Sequence, residues 1–199
     1  MKKYFRLVII IIGSLGILAL IFNDAFITNS DSPFNSLRLF KYFTVQSNLV
    51  AVIYFLILLG MNVDKKNEKW INFVGGVMIY TTITFLVFAI ILEPLYQEKG
   101  FALLGSICLH YINPLLIIAY VISNRNDFTM KIKDTLFWVI YPLFYLLFLI
   151  INGLITGDYL YPFFQISEIG VVVFIAVIIG LIGLFFSLSF FVVKILSKK

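Results

Sequence analysis

Charge is scarce in this chain: 13% of its 199 residues are Asp, Glu, Lys or Arg, about half the share of a soluble globular domain. There is one cysteine, Cys108, and one histidine, His110. A single cysteine excludes an internal disulfide and a thiolate metal cage. With only one histidine as well, a zinc site of the usual His/Cys type is out of reach, so the reading carries no metal and no organic cofactor. Basic residues stand in twos and threes at segment ends, without a basic groove or aromatic platform, which argues against a nucleic-acid partner. No low-complexity tract and no internal repeat is visible, so a transporter built from inverted halves gains no support. Apart from His110, no ionisable residue is clearly at membrane depth, which leaves little from which to build an ion path.

What fills the chain is hydrocarbon. Hydrophobic residues make up 62% of it, 22 of them phenylalanine, and the mean hydropathy is +1.06. The fold class is therefore all-α, a polytopic membrane protein forming a single six-helix transmembrane domain over residues 1–199. The apolar stretches lie at roughly 5–22, 37–60, 71–92, 101–122, 135–155 and 168–195, each near the ~20 residues that cross a ~30 Å hydrocarbon core. The first, preceded by Lys2, Lys3 and Arg6, lacks a small-x-small cleavage site and reads as an uncleaved span. Ser36 is the expected cap of the second span, and Gly60, Asn62 and Asp64 its end. Glu93-Pro94 is expected to close the third, because the residue before proline avoids the α region. Trp70, Tyr96, Trp138, Tyr159 and Tyr161 suit an interfacial aromatic belt.

Orientation follows from the basic residues. With the N-terminus in the cytoplasm, Lys2, Lys3, Arg6, Lys65, Lys66, Lys69, Arg125, Lys131, Lys133, Lys194, Lys198 and Lys199 fall inside, and Arg38, Lys41 and Lys99 outside. Twelve against three obeys the positive-inside rule and puts both termini in the cytoplasm.

Against this background His110 and the run Thr44-Val45-Gln46-Ser47-Asn48 stand out. Ionisable groups at membrane depth are costly and usually face a bundle interior or a cavity. Counted from Leu37 and Phe101, Thr44 and His110 lie seven and nine residues below the outer boundary, hence in one slab about 10–14 Å deep at the helical rise. Thr44, Ser47 and Asn48 share a helix face, and His110, Asn113 and Pro114 repeat that spacing. Thr81 and Thr84 arrive at comparable depth on the third span, and Tyr141 and Tyr145 on the fifth, with Pro142 as a kink. Together these residues are expected to line one polar pocket opening toward the outer leaflet. The competing reading is interhelical hydrogen bonding as packing glue, which suits Ser47, Thr81 and Thr84 best. Cys108 points to a different face from His110.

A hydroxyl becomes a nucleophile when a base stands within about 2.6–3.2 Å, and a neutral imidazole is the natural base. Thr44 and His110 are that pair. Asn113 or a tyrosine hydroxyl would orient the imidazole, and Asn48 is the side-chain candidate for stabilising an oxyanion.

The segments Phe43-Thr44-Val45-Gln46-Ser47-Asn48-Leu49, Leu109-His110-Tyr111-Ile112-Asn113-Pro114-Leu115, Tyr141-Pro142-Leu143 with Tyr145, and Gly157-Asp158-Tyr159-Leu160-Tyr161-Pro162-Phe163-Phe164 resemble the androgen-induced (FAR-17a-like) six-helix membrane proteins, most closely their small bacterial branch. Animal members of that family hydrolyse fatty acid esters of hydroxy fatty acids with a threonine and a histidine. By position in the motifs these fall on Thr44 and His110. The resemblance implies a lipid-ester hydrolase acting through an acyl-enzyme, without metal or cofactor, in a bacterial cytoplasmic membrane. Two other classes stay open. One is a non-catalytic lipid- or small-molecule-binding protein using the same pocket. The other is a structural partner of a membrane complex, engaging through Gly170, Gly180 and Gly183 of the last span.

Overall fold

The structure, a computed structural model, describes residues 2–28, 33–60 and 68–196, without the side chains of 33–36 and 68–69. The expected turn at Asn62 and Asp64 lies outside the described residues, as do Lys65, Lys66, Lys198, Lys199 and the side chain of Lys69. Among the described residues there is no strand. Six helices are long and apolar enough to cross a membrane: α1 (Lys2–Thr28), α2 (Phe43–Gly60), α3 (Trp70–Leu95), α4 (Gly100–Ser123), α5 (Asp134–Thr156) and α6 (Ile166–Leu196). The chain divides into two compact units, Met1–Phe128 and Thr129–Lys199.

In the first unit, α1 packs against α2 and α4, and α3 packs against α2 and α4. Close approach of α1 and α4 depends on glycine. A Cβ at Gly16 would stand 2.6 Å from the Leu109 side chain, and one at Gly105 would stand 3.0 Å from the Gly16 carbonyl. Small residues of this kind let membrane helices gain dispersion contacts that lipid would otherwise supply. Polar contacts fix which helix ends meet. Lys2 pairs with Asp127, while Arg6 donates to Leu58 O and Tyr120 Oη, both at 2.8 Å. The start of α1 thus lies with the ends of α2 and α4. At the opposite end, Arg38 reaches the buried carboxylate of Asp24 at 2.8 Å.

The second span begins later than its hydropathy suggests. Residues Pro33–Lys41 form a 3-10 helix, and α2 starts at Phe43, so Ser36 sits inside the 3-10 segment instead of capping α2. The Gln46 side chain donates to Phe40 O at 2.8 Å across the break. The third span also closes differently. Glu93 keeps helical angles (φ −55°, ψ −40°) despite the following proline. The chain tightens into a 3-10 turn over Glu93–Leu95 and leaves the helix at Tyr96 (φ −120°, ψ 130°).

Both α3 and α4 contain a π turn, Phe88–Leu92 and Ile107–Ile112 respectively. Each lies just ahead of a proline, Pro94 and Pro114. A proline cannot donate to the carbonyl four residues back, which here belongs to Ile90 or His110, and the widened turn accommodates that lost bond. The backbone N–H of Asn113 accordingly reaches Cys108 O, five residues back.

In the second unit, α5 is interrupted at Val139, one turn before Pro142, the kink expected of that proline. It ends at Gly157, whose φ of +71° is the left-handed conformation of a helix C-terminus. Gly170 also has positive φ (76°) and breaks the helical path of α6. It therefore serves a backbone bend and does not continue the face of Gly180 and Gly183. Of the expected aromatic belt, Tyr96 is exposed, but Trp138 and Tyr161 are buried, and the Tyr159 ring covers Gly153.

Candidate active site

Three irregular points of the first unit meet at one imidazole. They are the opening turn of α2, the π turn of α3 and the π turn of α4. Thr44 is the second residue of α2, half-buried. Its Oγ1 lies 3.1 Å from His110 Nε2, inside the range for a hydroxyl and its base. His110 is buried, 8% exposed. On the other side of the ring, Nδ1 lies 2.9 Å from Ser106 Oγ and 3.1 Å from Ser106 O. Phe88, the first residue of the α3 π turn, stacks on the imidazole with ring centroids 3.7 Å apart and planes 9° from parallel. Tyr111 donates to Glu93 Oε2 at 2.6 Å, tying the two helices together on the neighbouring turn.

The expected residues divide by what they touch. Asn48 is fully buried. Its amide nitrogen donates to Thr44 O at 2.9 Å and to Leu109 O at 3.1 Å, and its oxygen accepts from Asn113 Nδ2 at 2.8 Å. Both donors are thus spent on backbone, which removes Asn48 as an oxyanion donor. It bolts the Thr44 turn of α2 to the residue before His110. Asn113 binds Asn48 and makes no hydrogen bond to His110 among the described residues. Ser106 holds the imidazole instead. A tyrosine as orienting group likewise finds no support in this unit.

Ser47 bonds Thr44 O at 3.1 Å and meets Thr84 Oγ1 at 3.0 Å, a buried link from α2 to α3. Thr84 also donates to Tyr80 O, and Thr81 to Val77 O and Met78 O, within their own helix. Ser47 and Thr84 thus act as interhelical glue, while Thr81 satisfies its hydroxyl within α3. Tyr141 and Tyr145 belong to the second unit, where the Tyr145 hydroxyl donates to Tyr161 Oη at 3.5 Å. Cys108 is buried and free, with its Cβ close to Gly16 of α1.

Two contributors were not anticipated from the sequence. Ser106 stands four residues before His110 and so on the same helix face, a signal that was available. Phe88 carried none, since nothing separates it from the other phenylalanines until the π turn aims it.

No family model, curated protein or solved structure matches the chain.

Proposed function

We propose that this protein is a membrane-embedded acyl-ester hydrolase with Thr44 as nucleophile and His110 as general acid and base. The observation that carries the reading is the 3.1 Å contact between Thr44 Oγ1 and His110 Nε2, formed by two residues 66 positions apart. The motif resemblance to androgen-induced membrane proteins points to the same pair and to long-chain lipid esters as substrates. Both termini lie in the cytoplasm on this reading, and the ester approaches from the outer leaflet.

The chemistry proceeds in two halves. Thr44 Oγ1 attacks the ester carbonyl carbon as Nε2 takes its proton, and the carbonyl oxygen becomes an oxyanion. The first N–H groups of a helix have no intrahelical acceptor. Gln46 N bonds Tyr42 O at 3.1 Å, and the N–H groups of Thr44 and Val45, which precede it in the opening turn, are the candidate donors to the developing charge. Collapse expels the alcohol, which receives the proton from Nε2 and leaves an acyl-Thr44 ester. Water, deprotonated by Nε2, then attacks that ester and releases the carboxylic acid while Thr44 regains its proton.

The test is labelling of the purified, detergent-solubilised protein with an alkyl fluorophosphonate, beside Thr44→Ala and His110→Ala. An adduct on Thr44 that both substitutions abolish is expected. A folded wild-type protein that neither reacts nor turns over long-chain esters overturns the reading.

A further inference from the structure

Neutral imidazole carries one ring proton, and the Thr44 contact alone does not say where. With the proton on Nε2, His110 would donate to Thr44 and be no base toward it. With the proton on Nδ1, the Nε2 lone pair faces the threonine hydroxyl. The surroundings of Nδ1 decide between the two. Ser106 O, at 3.1 Å, is a carbonyl oxygen and can only accept. An unprotonated Nδ1 would set two lone pairs against each other in a buried place, with the energetic cost of an unsatisfied polar contact. Ser106 Oγ, at 2.9 Å, accepts equally well.

We propose that Ser106, through its hydroxyl and carbonyl oxygens together, holds His110 as the Nδ1–H tautomer and thereby makes Nε2 the base for Thr44. Its catalytic purpose rests on the hydrolase reading above; the tautomer itself does not. Ser106 is thus a positioning residue, 2% exposed and out of contact with solvent. The role resembles that of the carboxylate in serine hydrolases, which fixes the imidazole tautomer and orientation, here filled by a neutral residue on the same helix. Phe88 complements it, because a ring stacked flat at 3.7 Å restricts tilting of the imidazole while leaving in-plane rotation to be stopped by hydrogen bonds at its edge.

The experiment exploits composition. His110 is the only histidine, so full-length protein purified without a histidine tag and grown on 15N-histidine yields ring signals from this residue alone. Spectra are recorded above the free imidazole pKa of about 6.5. The wild type is expected to show a pyrrole-like Nδ1 and a pyridine-like Nε2; the opposite pattern overturns the proposal without any variant being needed. In Ser106→Ala the two signals are expected to move toward each other, and kcat to fall about tenfold at unchanged KM, the size of one lost hydrogen bond. Ser106→Thr, which keeps the hydroxyl, is expected to restore both. An alanine variant, which keeps the Ser106 carbonyl, with unaltered spectrum and turnover overturns the joint role and leaves the hydroxyl without a part in it. A wild type with the Nδ1–H signature but no ester turnover leaves this proposal standing and defeats the hydrolase reading instead.

Discussion

Thr44 and His110 owe their contact to groups that do no chemistry. The threonine carbonyl receives both Ser47 and Asn48 side chains, so the peptide carrying the proposed nucleophile is held from two sides. Replacing Thr44 by alanine removes only a half-buried hydroxyl and methyl. We expect Thr44→Ala to keep its melting temperature in detergent yet lose at least about 10³-fold in ester turnover, the scale seen when a nucleophile of an acyl-transfer triad is deleted. Thr44→Ser is expected to stay within about tenfold of wild type, since the hydroxyl and its base persist. Phe88→Leu, assayed on the same esters, should lower kcat more than it changes KM, because it frees the imidazole from its stacked ring. The pair itself was legible in the sequence because polar side chains in an apolar bundle are few. Their roles were less so. Asn48 and Asn113 occupy the faces their spacing requires, but which acceptor each amide finds depends on backbone carbonyls of a neighbouring helix, and no sequence pattern displays those.

The helices succeed and fail as carriers of this site at identifiable points. Gly16 lies against Cys108 and Leu109, the turn leading into His110. Gly16→Val is therefore expected to push α1 from α4 and reduce thermal stability and turnover together. Gly180→Ala and Gly183→Ala meet open space and should change neither; a differential melt with an activity assay separates the two groups. The buried Asn48–Asn113 bond ties α2 to α4. A double-mutant cycle with alanine at both positions should give a coupling of about 0.5–2 kcal/mol, the range for hydrogen bonds between membrane helices. Helix existence was legible from hydropathy for all six, since each stretch is near the ~20 residues a bilayer requires. Irregular turns were not. Hydropathy counted Leu37 to Tyr42 into α2, although Arg38 turns back to Asp24. Thr44 consequently reaches His110 from the opening turn of its helix, and not from seven residues down a straight one. Pro94 and Pro114 did advertise altered geometry, but a proline specifies a missing bond, without saying whether a kink, a 3-10 turn or a π turn absorbs it.

For the molecule as a whole, orientation decides which leaflet would supply the proposed ester substrate. The native cysteine is buried, so single cysteines introduced at the surface can be labelled selectively. Lys99 and Arg125 flank α4. Lys99→Cys is expected to react with an impermeant maleimide on intact cells, and Arg125→Cys only after permeabilisation. The reverse result would put Thr44 near the cytoplasmic face and assign the substrate to the inner leaflet.

The π turn of α4 also bears on how such a protein changes over generations. A π turn is an α-helix with one residue more than its path needs. Losing one residue between Ile107 and Ile112 would return α4 to regular geometry, with its length, hydropathy and insertion all but intact. The helix on either side would keep its register, because the widened turn had absorbed the extra residue, but side chains within the turn, His110 among them, would be re-aimed. His110 would no longer meet Thr44, Ser106 and Phe88 as it does. A single in-frame codon loss would then produce a sound membrane protein without the proposed reacting pair, so that the scaffold and the chemistry proposed for it are inherited through separate letters of the same helix.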